Sequence, residues 1–117
     1  MLGAILVAAI PQQSTAVGIT PETLAGLPAL KTKDFAFSQK QLQAKVGETI
    51  AYRLENGDGA THYFEIDELN VHAPIPAGKT GLAMFKVTKP GTYTFYCGPH
   101  SDKAKMQGMV GKLIITQ

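Results

Sequence analysis

The single cysteine of this 117-residue chain ends an alternating apolar segment and opens a loop rich in metal donors. The segment reads Tyr96-Cys97-Gly98-Pro99-His100, followed by Met106, Met109 and the strand-like stretch Val110–Thr116. One cysteine makes no internal disulfide, so a chain of this length must fold on a hydrophobic core. With His100 three residues on and methionines at the far end of the loop, Cys97 reads as a ligand or reactive thiol. Thiolate and thioether favour a reduced copper ion, and imidazole serves both oxidation states, so this donor set suits copper cycling between Cu(I) and Cu(II). The segment supplies three donors, and the fourth must be a distant histidine.

The rest of the chain indicates how a distant histidine could arrive. Ile50, Tyr52 and Leu54 alternate with Ala51, Arg53 and Glu55, the pattern of a half-buried strand. His62, Phe64 and Ile66 share one parity, and so do Tyr93, Phe95 and Cys97. Successive strand side chains point to opposite faces. If the aromatic residues face the core, His62 and Cys97 do too. Asn56-Gly57-Asp58-Gly59 and Lys89-Pro90-Gly91 read as turns, and Asn70–Pro76 reads as a loop ahead of the strand Leu82–Val87. Short strands at this spacing predict an all-β sandwich or barrel.

Composition narrows the partners. Charged residues make up 17% and the formal net charge is +2, with no Lys/Arg cluster, which argues against nucleic acid. No segment has the apolar length of a bilayer span. The chain divides near Lys31–Asp34, giving an N-terminal extension at 1–32 and a main domain at 33–117. In the extension, Leu2–Ile10 is read as a strand. Thr20-Pro21-Glu22 is a helix start, with Gly26 and Pro28 as its stop.

From Lys33 onward the chain resembles the cupredoxins, the blue-copper proteins of the plastocyanin and azurin type. The matching pieces are Asp34-Phe35-Ala36-Phe37, Lys45-Val46-Gly47-Glu48, Glu55-Asn56, Thr61-His62-Tyr63-Phe64 and Ile75-Pro76-Ala77-Gly78-Lys79-Thr80. Lys89-Pro90-Gly91-Thr92-Tyr93, Tyr96-Cys97-Gly98-Pro99-His100 and Gly108-Met109-Val110-Gly111-Lys112 follow in family order. The resemblance implies a Greek-key β-sandwich holding one copper per chain, with His62, Cys97 and His100 as a trigonal ligand set and a distant axial Met109. It implies a one-electron carrier of the type 1 class, blue or green, that passes electrons through His100 to and from redox proteins. No catalysis and no small-molecule substrate are implied. The expected location is extracytoplasmic (periplasm, envelope or lumen), with membrane association in a full-length precursor.

Two departures leave alternatives open. The loop from His100 to Met109 is long and carries Asp102, Lys103 and Lys105, so Met106 competes with Met109 as axial ligand. The extension, with Phe64–Leu69, is loosely similar to the red-copper nitrosocyanins, which form trimers. That similarity admits a homo-oligomer and a copper site with an open coordination position. A copper storage or delivery role is a third reading. His72 is read as structural or exposed, Met84 as core, and Lys103 and Lys105 as a solvated face.

Overall fold

Alternating stretches of the sequence become strands with one buried face. The structure, a computed structural model, describes residues 20–117. The apolar run Leu2–Ile10, expected to be a strand, lies outside these residues. The strands are β1 (Ala29–Lys33), β2 (Ala36–Phe37), β3 (Gln41–Lys45), β4 (Thr49–Asn56), β5 (His62–Ile66), β6 (Val71–Ile75), β7 (Thr80–Lys86), β8 (Gly91–Asp102) and β9 (Gln107–Thr116), preceded by helix α1 (Pro21–Gly26). They form two sheets, ordered β2-β1-β4-β7 and β3-β9-β8-β5-β6. Each sheet is mixed, because β1 runs parallel to β4 and β3 runs parallel to β9. Neighbours in space that are distant in sequence give the crossing connections of a Greek-key sandwich, as expected.

The core lies between the sheets and is aromatic beneath one end. Phe64 stacks on Phe95 at 5.1 Å between ring centroids, and Phe37 meets Phe95 edge-on at 5.1 Å. Phe64 lies two residues after His62 on β5, and Phe95 two residues before Cys97 on β8. All four side chains are fully buried, so the parity argument holds for both strands. The face that carries His62 and Cys97 is thus anchored by tightly packed rings directly below them.

Two readings are corrected. The stretch from Asn70 to Pro76, read as a loop, contains strand β6, with Val71, Ala73 and Ile75 buried. Pro74 cannot donate to a ladder, which suggests a loop in sequence but is tolerated here because β6 is an edge strand. Met84, read as core, is only half-buried. The strand that opens the four-stranded sheet, β1, starts at Ala29 and buries Leu30 and Thr32, within the stretch assigned from sequence to the extension.

Helix α1 begins as its sequence indicates, with the Thr20 hydroxyl accepting the Thr23 N–H and Pro21 in the first turn. It buries none of its residues. Its C-terminal carbonyls are instead satisfied by Arg53 of β4, whose guanidinium donates to Leu24, Ala25 and Leu27 at 3.2, 2.7 and 2.8 Å. No helix among the described residues is long and apolar enough to cross a membrane.

Asn56, at the end of β4, is buried and uses its side chain fully. Its amide donates to the carbonyls of Ala60 and Ile75, both at 2.8 Å. Its Oδ1 accepts from the Thr32 hydroxyl at 3.1 Å and the Asp58 N–H at 2.8 Å. This residue therefore shapes the turn leading into His62. Asn56→Ala leaves buried groups without partners and is expected to cost roughly 2–4 kcal/mol, read as a lower urea midpoint with an unchanged slope.

Candidate metal centre

A mismatch between β8 and β9 builds the site. Tyr96 pairs with Val110 and Ser101 with Gly108, so Cys97, Gly98, Pro99 and His100 face Met109 alone. The surplus residues must arch out of the ladder. The arch turns both Cys97 and His100 towards one point above β5. Close approach of β9 to this arch requires Gly108, which has φ +81°. A Cβ there would meet the His100 carbonyl oxygen at 2.5 Å. Ser101 ties the arch together through its hydroxyl, which donates to the Cys97 carbonyl at 2.8 Å, and the Gly98 N–H donates to Glu65 of β5 at 3.2 Å.

His62, Cys97 and His100 converge, with their donor atoms all within 4.8 Å of one another. Cys97 Sγ lies 3.3 Å from His100 Nδ1 and 3.9 Å from His62 Nδ1, and the two Nδ1 atoms are 3.2 Å apart. His62 and Cys97 are fully buried, and His100 is half-buried. Met109 is fully buried on the facing strand, whereas Met106 is 40% exposed at the end of a single 3-10 turn (Lys103–Lys105). His72 lies on the edge strand with its side chain 61% exposed, away from the cluster, and stacks on Tyr63.

The second nitrogen of His62, for which sequence pattern names no partner, meets Asp58. The Asp58 carboxylate lies 2.8 Å from His62 Nε2. An ionised carboxylate only accepts, so in the neutral imidazole Nε2 carries the hydrogen and Nδ1 turns its lone pair towards His100 and Cys97. Asp58 also accepts the N–H groups of Phe35 and Asp34, at 2.9 and 2.8 Å. The Phe35 N–H, then His62, holds its carboxyl down at about 2. Burial pushes the Cys97 thiol up, while the N–H groups of Tyr63 and His100 work against that rise.

These donors fit copper. A first-row metal ion bonded to them at roughly 2.0–2.3 Å would hold neighbouring donors about 3.4–3.8 Å apart. The observed separations of 3.2, 3.3 and 3.9 Å bracket that range. The set combines soft sulfur with imidazole, and His62 is already in the tautomer a ligand needs.

Phe35 is a further residue whose place sequence parity did not reveal. It shares parity with Phe37, but the backbone between β1 and β2 reverses through Asp34 (φ 53°) and Phe35 (φ 58°). Phe37 is therefore buried and Phe35 is 49% exposed. The left-handed region costs a bulky residue about 1–2 kcal/mol. The Phe35 ring lies edge-on to His62 at 5.1 Å and to His100 at 4.8 Å.

A two-sheet sandwich whose strand ends bring a thiol and two imidazoles together defines a β domain suited to binding a metal ion. The chain belongs to the cupredoxin family, whose Cupredoxin-like domain model matches residues 3–115. It is 33% identical over 92 residues to plastocyanin from Solanum tuberosum, a match covering 68% of this chain and 87% of that protein. It is 30% identical to chloroplastic plastocyanin from Pisum sativum, of which it spans about half, 51%. In fold it is similar to auracyanin A, a "blue" copper protein from Chloroflexus aurantiacus, with a TM-score of 0.59 at 16% identity, covering 75% of this chain and 96% of that one.

Beside the site, Lys103 of the charged loop is partnered. Asp67 accepts from the Tyr96 hydroxyl at 2.5 Å and from Lys103, whose ammonium lies 4.8 Å from the Tyr96 ring centroid. Lys103, then Tyr96, holds the Asp67 carboxyl below its usual range, and Asp67 pushes both partners up. The depressed acid contributes stability above about pH 4 that is lost as pH falls through its folded value. The raised phenol and ammonium contribute stability that is lost as pH rises beyond about 10. The difference in urea midpoint between wild type and Asp67→Asn is therefore expected to be flat near neutrality and to shrink at both extremes.

Proposed function

We propose that this protein is a mononuclear type 1 copper protein that carries single electrons, with His62, Cys97 and His100 as the close ligands and Met109 as the axial ligand. The observation that carries this is the convergence of the three donor atoms, with His62 Nδ1 left free by Asp58. Burial of Met109 against the exposure of Met106 favours Met109 as the thioether. When bound, copper supplies the one-electron Cu(I)/Cu(II) couple.

The chain's own residues do the rest. The Phe64–Phe95 stack and the hydrogen bonds to Glu65 and Ser101 hold the ligands so that little need move when the charge changes. The N–H groups of Tyr63 and His100 stabilise negative charge on the Cys97 sulfur. His100, the half-buried member of the set, would be the ligand through which an electron is taken from a donor redox protein and passed to an acceptor. Burial of His62, Cys97 and Met109 weighs against an exchangeable copper store, and the Phe35 ring weighs against an open coordination position. Electron transfer rather than catalysis is the role, and a location outside the cytoplasm accords with the plastocyanin relatives.

Copper(II) added to the metal-free protein is expected to produce strong visible absorption that saturates at about one equivalent and is bleached by ascorbate. Cys97→Ser is expected to abolish it. A colourless adduct, or colour that survives in Cys97→Ser, would contradict the assignment.

A further inference from the structure

Three donors meet on the Asp58 carboxylate. One is the imidazole of His62, and the other two are consecutive backbone N–H groups of the left-handed Asp34–Phe35 turn. That turn belongs to the opposite sheet, between β1 and β2. Left-handed backbone suits glycine and is tolerated by aspartate, but phenylalanine there is unusual. Such strain persists only where the surroundings hold it in place. Here the restraint is a charge-assisted pair of hydrogen bonds, and the result is a half-exposed aromatic ring standing edge-on over both imidazoles.

We propose that Asp58 is a positioning residue with two linked tasks: it orients His62 and sets its electron donation, and it holds Phe35 closed over the metal centre as a cover against small molecules. This rests on the copper reading of the site. An anionic acceptor on Nε2 increases the donor strength of Nδ1 and favours the more highly charged ion, which lowers the reduction potential. The Phe35 ring presents hydrocarbon where water or an anion would approach between His62 and His100. One carboxylate thus links the redox balance of the site to its closure.

The test uses Asp58→Asn and Phe35→Gly beside the wild type. In the metal-free proteins, Asp58→Asn is expected to speed amide hydrogen exchange at residues 34 and 35 by roughly tenfold or more, with β8 and β9 unchanged. This readout does not depend on copper. In the copper-loaded proteins, Asp58→Asn raises the reduction potential, and both variants shift the visible spectrum on adding azide where the wild type does not. Phe35→Gly suits the turn's backbone and keeps the Asp58–His62 bond, so it opens the site without raising the potential, and it serves if Asp58→Asn fails to fold. An unchanged exchange rate at residues 34 and 35 in Asp58→Asn would overturn the link between carboxylate and turn. An azide response already full in the wild type, or none in Phe35→Gly, would overturn the cover. A colourless wild-type copper adduct would overturn the copper reading, while the exchange data still decide the turn.

Discussion

Four residues of β8 set against one of β9 are the constraint on which the site depends. A regular ladder would send Cys97 and its neighbours alternately up and down, and His100 would point away from the thiol. The arch breaks that alternation and turns Cys97 and His100 towards one point. It is held by short polar ties to Glu65 and within the arch itself, and by a glycine at position 108 that lets β9 pass close beneath it. The third donor needs no such device, because β5 delivers His62 by simple alternation above Phe64.

Around these donors the polar residues form a hierarchy. Asn56, satisfied on every side, shapes the turn that carries Asp58, and Asp58 in turn fixes His62. A buried network of this kind specifies one arrangement because each missing bond would leave a desolvated group. The His62 imidazole is thereby held in one orientation by the fold itself, which is what the proposed centre, changing charge without rearranging, would require.

Much of this was legible in the sequence. The parity of His62, Phe64 and Ile66 and of Phe95 and Cys97 predicted buried faces on two strands, and both are buried. What escaped has physical reasons. Pro74 hid β6, because a residue that cannot donate is read as a loop until its strand is known to lie at an edge. Phe35 escaped because a two-residue left-handed turn resets parity, and phenylalanine gives no hint of positive φ. Asp58 was visible only as a turn residue. Its place four residues before His62 could have suggested a partner for the imidazole, but its bonds to Asp34 and Phe35 join segments that only the tertiary fold brings together.

In the proposed centre, one sulfur and two ring nitrogens of this chain hold a single copper ion in a sphere that hardly changes on reduction. Copper-edge X-ray absorption on the oxidised and the reduced protein tests it most directly. One short sulfur and two imidazole nitrogens are expected in both states, with nearly constant distances. A first shell without a short sulfur, or one that gains or loses a ligand on reduction, would contradict it.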